Sequence, residues 1–445
     1  MHTISSLCAG ELSGIKRLDL ACGLSEFPRE IFDLADSLEI LNLSGNSLSS
    51  LPDDLHRLHK LRVIFCSDNG FTELPEVLGR CSNLEMLGFK ANQISSVPAS
   101  AFPKRLRWLI LTDNKITKLP SELGLCADLQ KLMLAGNQLQ ELPDLARCTR
   151  LELIRIAANQ FATLPDWLCS LPRLAWLAYA GNPMSDAIEL TAMTKHQITP
   201  IDWHSLDLQH TLGEGASGVI YHANRRLSDT RLPVAVKIFK GKLTSDGLPR
   251  SEKSAYIAAG VHPNLIPVTG KISGHPEGAS GIVMSLIEPG FFNLAGPPSL
   301  ESCTRDIYAE ETRFSLSNVM KIALGIAAVA EHLHMQGVMH GDLYAHNILR
   351  DACGNCLLGD FGAASFIPQH DEQLATDLQR IEVRAFACLL KELLDRCDAT
   401  GETQHIVDAL RTLMLRCDSP EINSRPLFKE IHAALSSLST AMDYS

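Results

Sequence analysis

Seven asparagines in one phase constrain this 445-residue chain more than any other feature. They stand at Asn46, Asn69, Asn92, Asn114, Asn137, Asn159 and Asn182, at intervals of 22 or 23 residues. Around each runs the pattern L-x-x-L-x-L-x-x-N-x-L, as in Leu38, Leu41, Leu43, Asn46 and Leu48. Prolines follow in phase at Pro28, Pro52, Pro75, Pro98, Pro120, Pro143 and Pro165. A fixed period of this kind requires stacked units, because one unit cannot bury its own leucines. Asparagine at the turn can donate to and accept from the next coil's backbone, so the pattern predicts a hydrogen-bond ladder through the stack. Proline predicts an extended return on the convex side. Cys81, Cys126 and Cys148 share one register with Leu58 and Leu171. That register marks them as small buried hydrophobes rather than as metal ligands or a disulfide set.

The repeat resembles the leucine-rich repeat family in its form with Leu-Pro after the asparagine turn. The resemblance implies an α/β solenoid, a horseshoe of about eight repeats over residues 1–185. A degenerate first unit (Leu18, Leu20, Cys22-Gly23, Phe27-Pro28) serves as its cap. Arrays of this kind bind rather than catalyse. Strand positions expected to face water read Ile40, Val63, Met86, Trp108, Lys131, Leu153 and Trp176, with Phe65, Ile110 and Met133 in the adjoining column. The apolar set Phe65, Met86, Trp108, Ile110, Met133 and Trp176 predicts a contact surface, since solvated positions need no such side chains. Its occupant is either a protein partner or the chain's own second half.

Composition narrows the classes. Hydrophobic residues are 45% and charged residues 20%, which supports a sizeable core. Residues 1–208 hold 19 basic and 24 acidic side chains, residues 209–445 hold 21 and 27. No basic domain exists to neutralise phosphates, so no nucleic-acid partner is expected. Thirteen cysteines, an odd number spread thinly, do not make a disulfide scaffold. The N-terminus lacks a basic stretch followed by an apolar one, so no signal peptide is read there. The longest apolar run, Val319 to Leu333, is broken by Lys321 and Glu331 and reads as an amphipathic helix. Cytoplasmic localisation and no membrane insertion are the expectation.

Beyond Asn182-Pro183 the repeat stops, and residues 186–208 read as a connector with a capping helix. Then follows Leu212-Gly213-Glu214-Gly215-Ala216-Ser217-Gly218-Val219-Ile220 between two strand-like stretches, Leu206–Leu212 and Val219–Ala223. A glycine hairpin of this kind can lay bare N–H groups over phosphates. Downstream stand Val234-Ala235-Val236-Lys237, then His340-Gly341-Asp342-Leu343-Tyr344-Ala345-His346-Asn347, and then Asp360-Phe361-Gly362.

Four motifs in this order resemble the protein kinase family. The resemblance covers 209–437 and, with the repeats, describes a soluble, bacterial-type leucine-rich repeat protein kinase. It implies an α+β two-lobed fold, with an N-lobe over 209–288 and a C-lobe over 289–440, and ATP and Mg²⁺ as cofactors. By the same resemblance Leu212, Gly213, Glu214, Gly215, Ser217 and Gly218 cover ATP, Lys237 holds its phosphates and Glu252 pairs with Lys237. Met284 guards the adenine pocket and Ser285, Leu286 and Ile287 form the hinge. Ile220, Ala235 and Leu349 sandwich the base. Asp342 orients the attacking hydroxyl and accepts its proton, and Asn347 and Asp360 hold the metal. His340 is expected to be buried and stacked with Phe361, and Cys353-Gly354-Asn355-Cys356 to form a hairpin turn.

Three features depart from the family. Gly341 replaces the arginine that reads a phosphate on the activation segment, so activity without that phosphorylation is implied. No A-P-E follows Asp360; the segment before a helix expected at Glu382–Leu394 is short, with Ser365 and Thr376 as its few hydroxyls, and Arg425 lacks its usual glutamate partner there. Tyr344 stands where serine/threonine kinases carry lysine. The reading is a protein kinase leaning to Ser/Thr, recruited by the repeats. The alternatives are a nucleotide-binding scaffold without catalysis and a small-molecule kinase of the aminoglycoside or choline type.

Overall fold

A computed structural model describes residues 2–195, 198–241, 243–398 and 403–443. The chain divides into two compact units, Met1–Arg173 and Leu174–Ser445. The division falls inside the last repeat, ahead of the 185/186 boundary read from the repeat pattern, because the final repeat's side chains are buried among those of the second unit.

The first unit opens with a short helix, α1 (Ile4–Cys8), which the repeat pattern did not signal. Seven three-residue strands follow: β1 (Arg17–Asp19), β2 (Ile40–Asn42), β3 (Val63–Phe65), β4 (Met86–Gly88), β5 (Trp108–Ile110), β6 (Lys131–Met133) and β7 (Leu153–Arg155). They pair parallel and strictly in order, with equivalent residues opposite one another, as Leu87 opposite Leu109 and Leu109 opposite Leu132. Equal spacing in sequence therefore becomes a column in space. The second strand residue of every repeat, Leu18 through Ile154, is fully buried. Proline sets the return, as at Pro75 (φ −62°, ψ 125°), which precedes a short 3₁₀ turn.

The asparagine ladder is present, but it points backward. Asn137 donates to the carbonyls of Leu111 and Leu134 at 2.9 Å each and accepts from the Ile116 N–H at 3.0 Å, so it clamps the preceding coil to its own. Asn114 does the same with Phe89, Leu111 and Ile94. The residue before each ladder asparagine in this unit lies in the left-handed region: Gly45, Asp68, Ala91, Asp113, Gly136 and Ala158. Only that backbone turns the asparagine inward, and Ala91 (φ 53°) and Ala158 (φ 54°) adopt it against their own steric preference. Cys81, Cys126 and Cys148 are buried, and burial pushes their thiols up to about 11, 12 and 11.

On the strand face, apolar side chains cover one another more than the sequence implied. Met86 is buried, while Phe65, Trp108, Ile110 and Met133 are half-buried. Trp108 donates its indole N–H to Met133 Sδ at 3.4 Å, and the Lys131 ammonium sits 4.4 Å from the Trp108 ring centroid. Parallel neighbours of one register are close enough to stack, so a column of large side chains shields itself.

The second unit begins with β8 (Trp176–Ala178) and α2 (Pro183–Lys195). Strand β9 (Pro200–Asp202), read as connector, instead joins the sheet of the next lobe. That sheet runs β10 (Leu206–Glu214), β11 (Gly218–Leu227), β12 (Thr230–Phe239), β14 (Gly281–Ser285), β13 (Val268–Ser273), β9; only the β13–β9 pair is parallel. Its core is Ile201, Leu206, Ala223, Val234, Val236 and Val283. Helix α3 (Pro249–Ala259) follows β12 and ends at Gly260, whose φ of 66° stops it.

The remaining lobe is helical: α4 (Leu316–Met335), α5 (Glu372–Leu394), α6 (Gln404–Cys417) and α7 (Phe428–Asp443), with short strands β15 (Phe292–Asn293), β16 (Phe314–Ser315), β17 (Val338–Met339), β18 (Ile348–Arg350), β19 (Cys356–Leu358) and β20 (Ser365–Phe366). Helix α4 is long and apolar enough by composition to cross a bilayer, yet Val319, Ile322, Ala323, Ile326, Val329 and Leu333 are core residues of this lobe. Helix α5 starts at Glu372, earlier than the expected Glu382, because Asp371 caps it by accepting from the Leu374 N–H at 3.0 Å. The segment after Asp360 is shorter still than the sequence implied, and Thr376 lies within the helix.

Opposite signs are expected at neighbouring positions of the ladder. Asn114→Ala strands the Ile94 N–H and two carbonyls, and urea unfolding should register a loss of about 1–3 kcal/mol. Ala91→Gly relieves left-handed strain and should gain up to about 1 kcal/mol, the unfolded chain's added freedom offsetting part of it. A loss at both positions would contradict the role assigned to the left-handed turn.

Candidate active site

The site lies wholly in the second unit, in a cleft of about 870 Å³. Gly213, Glu214, Gly215, Ser217, Gly218, Ile220, Lys237, Met284, Asn347, Leu349 and Asp360 line it. Strands β10 and β11 form its roof as an antiparallel hairpin closed by Gly215 N–H to Gly218 O at 2.9 Å. The three glycines serve different ends. A Cβ on Gly218 would meet Ile238 O at 2.5 Å, so that position is demanded by packing on β12. A Cβ on Gly213 or Gly215 would meet nothing, so those two leave open backbone facing a ligand.

Lys237 projects from β12, opposite Ile220 on β11, and pairs with Glu252 of α3. Both side chains are nearly removed from solvent. Burial pushes the Glu252 carboxyl above its ordinary range, the Lys237 charge pulls it back, and the Asp360 charge adds to the rise. One lining residue that the sequence reading did not single out is Tyr256. Tyr256 of α3 lies 4.6 Å from the Phe361 ring, and Phe361 lies 5.1 Å from His340, tilted rather than stacked flat. His340 is fully buried and hydrogen-bonds the Gly359 carbonyl through Nε2 at 2.9 Å, while the Asp342 N–H donates to its Nδ1 at 3.3 Å.

Asn347 carries the floor. Its Nδ2 donates to both the backbone O and Oδ2 of Asp342 at 2.9 Å, which orients that carboxylate. Asp360 sits on the cleft wall at φ 54°, held there by the Gly362 N–H on its Oδ1 at 3.1 Å. Asp306 is a further residue without a sequence signal: its buried carboxylate accepts from His346 N–H at 3.1 Å and bonds His346 Nδ1 at 2.7 Å. Burial opposes charge on His346, but the Asp306 hydrogen bond and charge outweigh it and raise its pKa. Glu382 of α5, likewise unforeseen, accepts from the Gly341 N–H and bonds His334 Nε2, each at 2.7 Å. Burial would raise its pKa, yet these partners hold it below the usual range.

Leu212, Ala235, Leu286, Glu252 and Asp342 are outside the cleft's immediate lining. Leu212 sits at a bulge in the β10–β11 register and turns out to solvent, 47% exposed. Ala235 is buried on β12, opposite His222 of β11 and Met284 of β14, and the latter lines the cleft. Leu286 follows the end of β14 and is half-buried off the cleft wall. Glu252 joins the site through its ion pair with Lys237, and Asp342 through the hydrogen bond that Asn347 donates to its carboxylate. Trp176, read as part of a contact surface for a protein partner or for the chain's own second half, is 1% exposed inside this unit, where its ring stacks on Tyr344. Ser365 is fully buried and accepts from the Tyr179 N–H. Arg425 is buried and donates to the carbonyls of Ser419 and Arg380. Cys353 and Cys356 are free, on the β18–β19 hairpin as expected.

Residues 206–389 match the family of protein tyrosine and serine/threonine kinases, and residues 82–139 and 37–58 match leucine-rich repeat families. The chain is a leucine-rich repeat array joined to a protein kinase domain. Similar proteins include a probable serine/threonine-protein kinase of Arabidopsis thaliana, 25% identical over 52% of this chain and 33% of its own length. The serine/threonine-protein kinase PknD of Chlamydia trachomatis is 31% identical over 38% of this chain and 18% of its own. The transforming protein mos of Moloney murine sarcoma virus, a serine/threonine-protein kinase, is 28% identical over 37% and 44%. The chain thus spans less than half the length of these relatives.

The glycines should separate by stability. Gly218→Ala forces backbone against backbone and should cost about 1–3 kcal/mol, whereas Gly213→Ala should stay within about 0.5 kcal/mol in thermal unfolding. Equal effects would mean that the hairpin does not pack as described.

Proposed function

We propose that the chain is an ATP- and Mg²⁺-dependent protein kinase acting on serine or threonine hydroxyls. The observation that carries this reading is the Lys237–Glu252 pair at the back of one cleft, with Asn347 and Asp360 on its wall and Asp342 tied to Asn347. Each member has a separate task, and all are intact, which favours a working enzyme over an idle scaffold. The serine/threonine assignment follows the names of the similar proteins.

Bound ATP and Mg²⁺ would supply the transferable phosphoryl group and neutralise its charge. Asn347 and Asp360 fit the metal as hard oxygen donors, and the open backbone at Gly213 and Gly215 fits phosphates beneath it. Lys237, fixed by Glu252, offers a cation to the α and β phosphates. Ile220, Met284 and Leu349 offer apolar surface to the base. Asp342, aligned by Asn347, accepts the proton of the attacking hydroxyl. Catalysis then rests on positioning and charge.

The parallel sheet of β1–β7 supports a horseshoe-like solenoid whose face, through Phe65, Trp108, Ile110 and Met133, takes a protein partner. Trp176 drops out of that surface. Thirteen cysteines spread thinly along the chain, with Cys81, Cys126 and Cys148 buried as small apolar side chains, support a reducing, cytoplasmic setting.

Incubating the chain with labelled ATP, Mg²⁺ and a generic protein substrate should transfer label to serine or threonine. Asp342→Ala should reduce kcat by about 10²–10⁴-fold while ATP still binds. Tight ATP binding with no transfer by the unmodified chain would favour the scaffold instead.

A further inference from the structure

The catalytic loop and the helix carrying Glu252 are both gripped by the opening residues of the second unit, which no kinase motif includes. Trp176 of β8 stacks on Tyr344 with centroids 4.1 Å apart and planes 6° from parallel. Its indole N–H donates to the Leu343 carbonyl at 3.2 Å. Leu343 and Tyr344 directly follow Asp342. Three residues on, Tyr179 donates its N–H to Ser365 Oγ at 2.9 Å and its hydroxyl to the Phe366 carbonyl at 3.0 Å, which fixes the segment after Asp360. Between them the Leu177 carbonyl comes so close to Gly341 that a Cβ there would lie 2.6 Å from it, and 2.5 Å from Ala363 O. Gly341 is also at φ 73°. The place of the family's phosphate-reading arginine is filled by backbone from the last repeat, so only glycine fits.

Helix α2 makes the second grip. Glu189 is buried; its Oε1 accepts from the Gly181 N–H at 2.8 Å and Ser185 Oγ at 3.0 Å, and its Oε2 accepts from Ser251 Oγ at 3.0 Å. Ser251 immediately precedes Glu252, the partner of Lys237.

We propose that Trp176 and Glu189 are positioning residues of the phosphotransferase. The end of the repeat array and its following helix hold the catalytic loop and α3 in their working arrangement, a task that a phosphate on the activation segment would otherwise perform. This rests on the kinase reading above. Ser365 is buried under Tyr179 and Thr376 sits within α5, bonded to the Glu372 carbonyl, so neither hydroxyl of the segment is free for such a switch.

The full-length chain carries the test, with kcat, KM for ATP, ATP affinity by calorimetry and melting temperature measured for each variant. Trp176→Ala should lower kcat by about 10- to 100-fold with ATP affinity within about twofold, because the loop shifts while the cleft persists. Trp176→Phe keeps an aromatic face for Tyr344 and should recover most of kcat. Ser251→Ala frees α3 from Glu189 and should raise KM for ATP by about 3- to 10-fold through a less well-held Lys237. If the unmodified chain binds ATP but transfers nothing, the kinase reading itself fails and this inference with it. If it transfers phosphate and Trp176→Ala is equally active, the positioning role alone is overturned. That role is likewise overturned if Trp176→Ala and Trp176→Phe lose kcat, ATP binding and thermal stability together, since that describes a purely structural residue.

Discussion

A lysine and a glutamate buried face to face beneath a glycine hairpin set the terms for the kinase domain. Neither charge can be left alone away from water: removing one partner of a buried pair strands the other at a cost of several kcal/mol. Lys237 is fixed because β12 is hydrogen-bonded on both sides, by β11 and by β14. Glu252 must therefore be brought to it, which dictates where α3 docks. Once α3 is docked, Tyr256 meets Phe361, Phe361 meets His340, and the His340 ring takes the Asp342 N–H. One ion pair is thus linked through these ring contacts to Asp342, whose carboxylate Asn347 holds.

A second buried carboxylate does for the helical lobe what Glu252 does for the sheet. Glu382 projects from the middle of α5 and binds His334 of α4 with one oxygen and the Gly341 N–H with the other. Two core helices and the loop bearing Asp342 are joined at a single side chain. Its charge is tolerated because both oxygens are satisfied, one of them by a backbone donor that cannot move without unravelling the loop. Asp306 acts similarly on His346, so the loop is held at Gly341, at Leu343 and Tyr344, and at His346. A short activation segment can contribute little to such a loop, and the contacts from Trp176 and Tyr179 stand in its place.

Much of this was legible in the sequence. The phase of the asparagines set the strand register of the first unit directly, because a parallel stack converts equal spacing into alignment. The glycine loop, the lysine strand and the Asp360 segment were equally plain, since each works through backbone conformation or one obligatory side chain at fixed spacing. Leu212 departs from the expected place for a physical reason: a β-bulge between Thr211 and Gly213 leaves its side chain exposed. Asp306, Tyr256 and Glu382 carried no signal, because a single acid or tyrosine among ordinary mixed residues has no spacing that reveals its partner. Helix α5 began early on account of a single capping aspartate.

The division of Trp176 from its fellows shows where sequence stops. By periodicity it is one more strand residue in the column of Trp108, and nothing local separates the two. Sequence determines the period, the pairing and the chemistry available at each motif, because these depend on neighbours along the chain or one repeat away. Which face of the last repeat is covered, and why Gly341 had to be glycine, depend on contacts between Trp176 and Tyr344 or Leu177 and Gly341. Those segments are far apart in sequence, and only the packed structure brings them together.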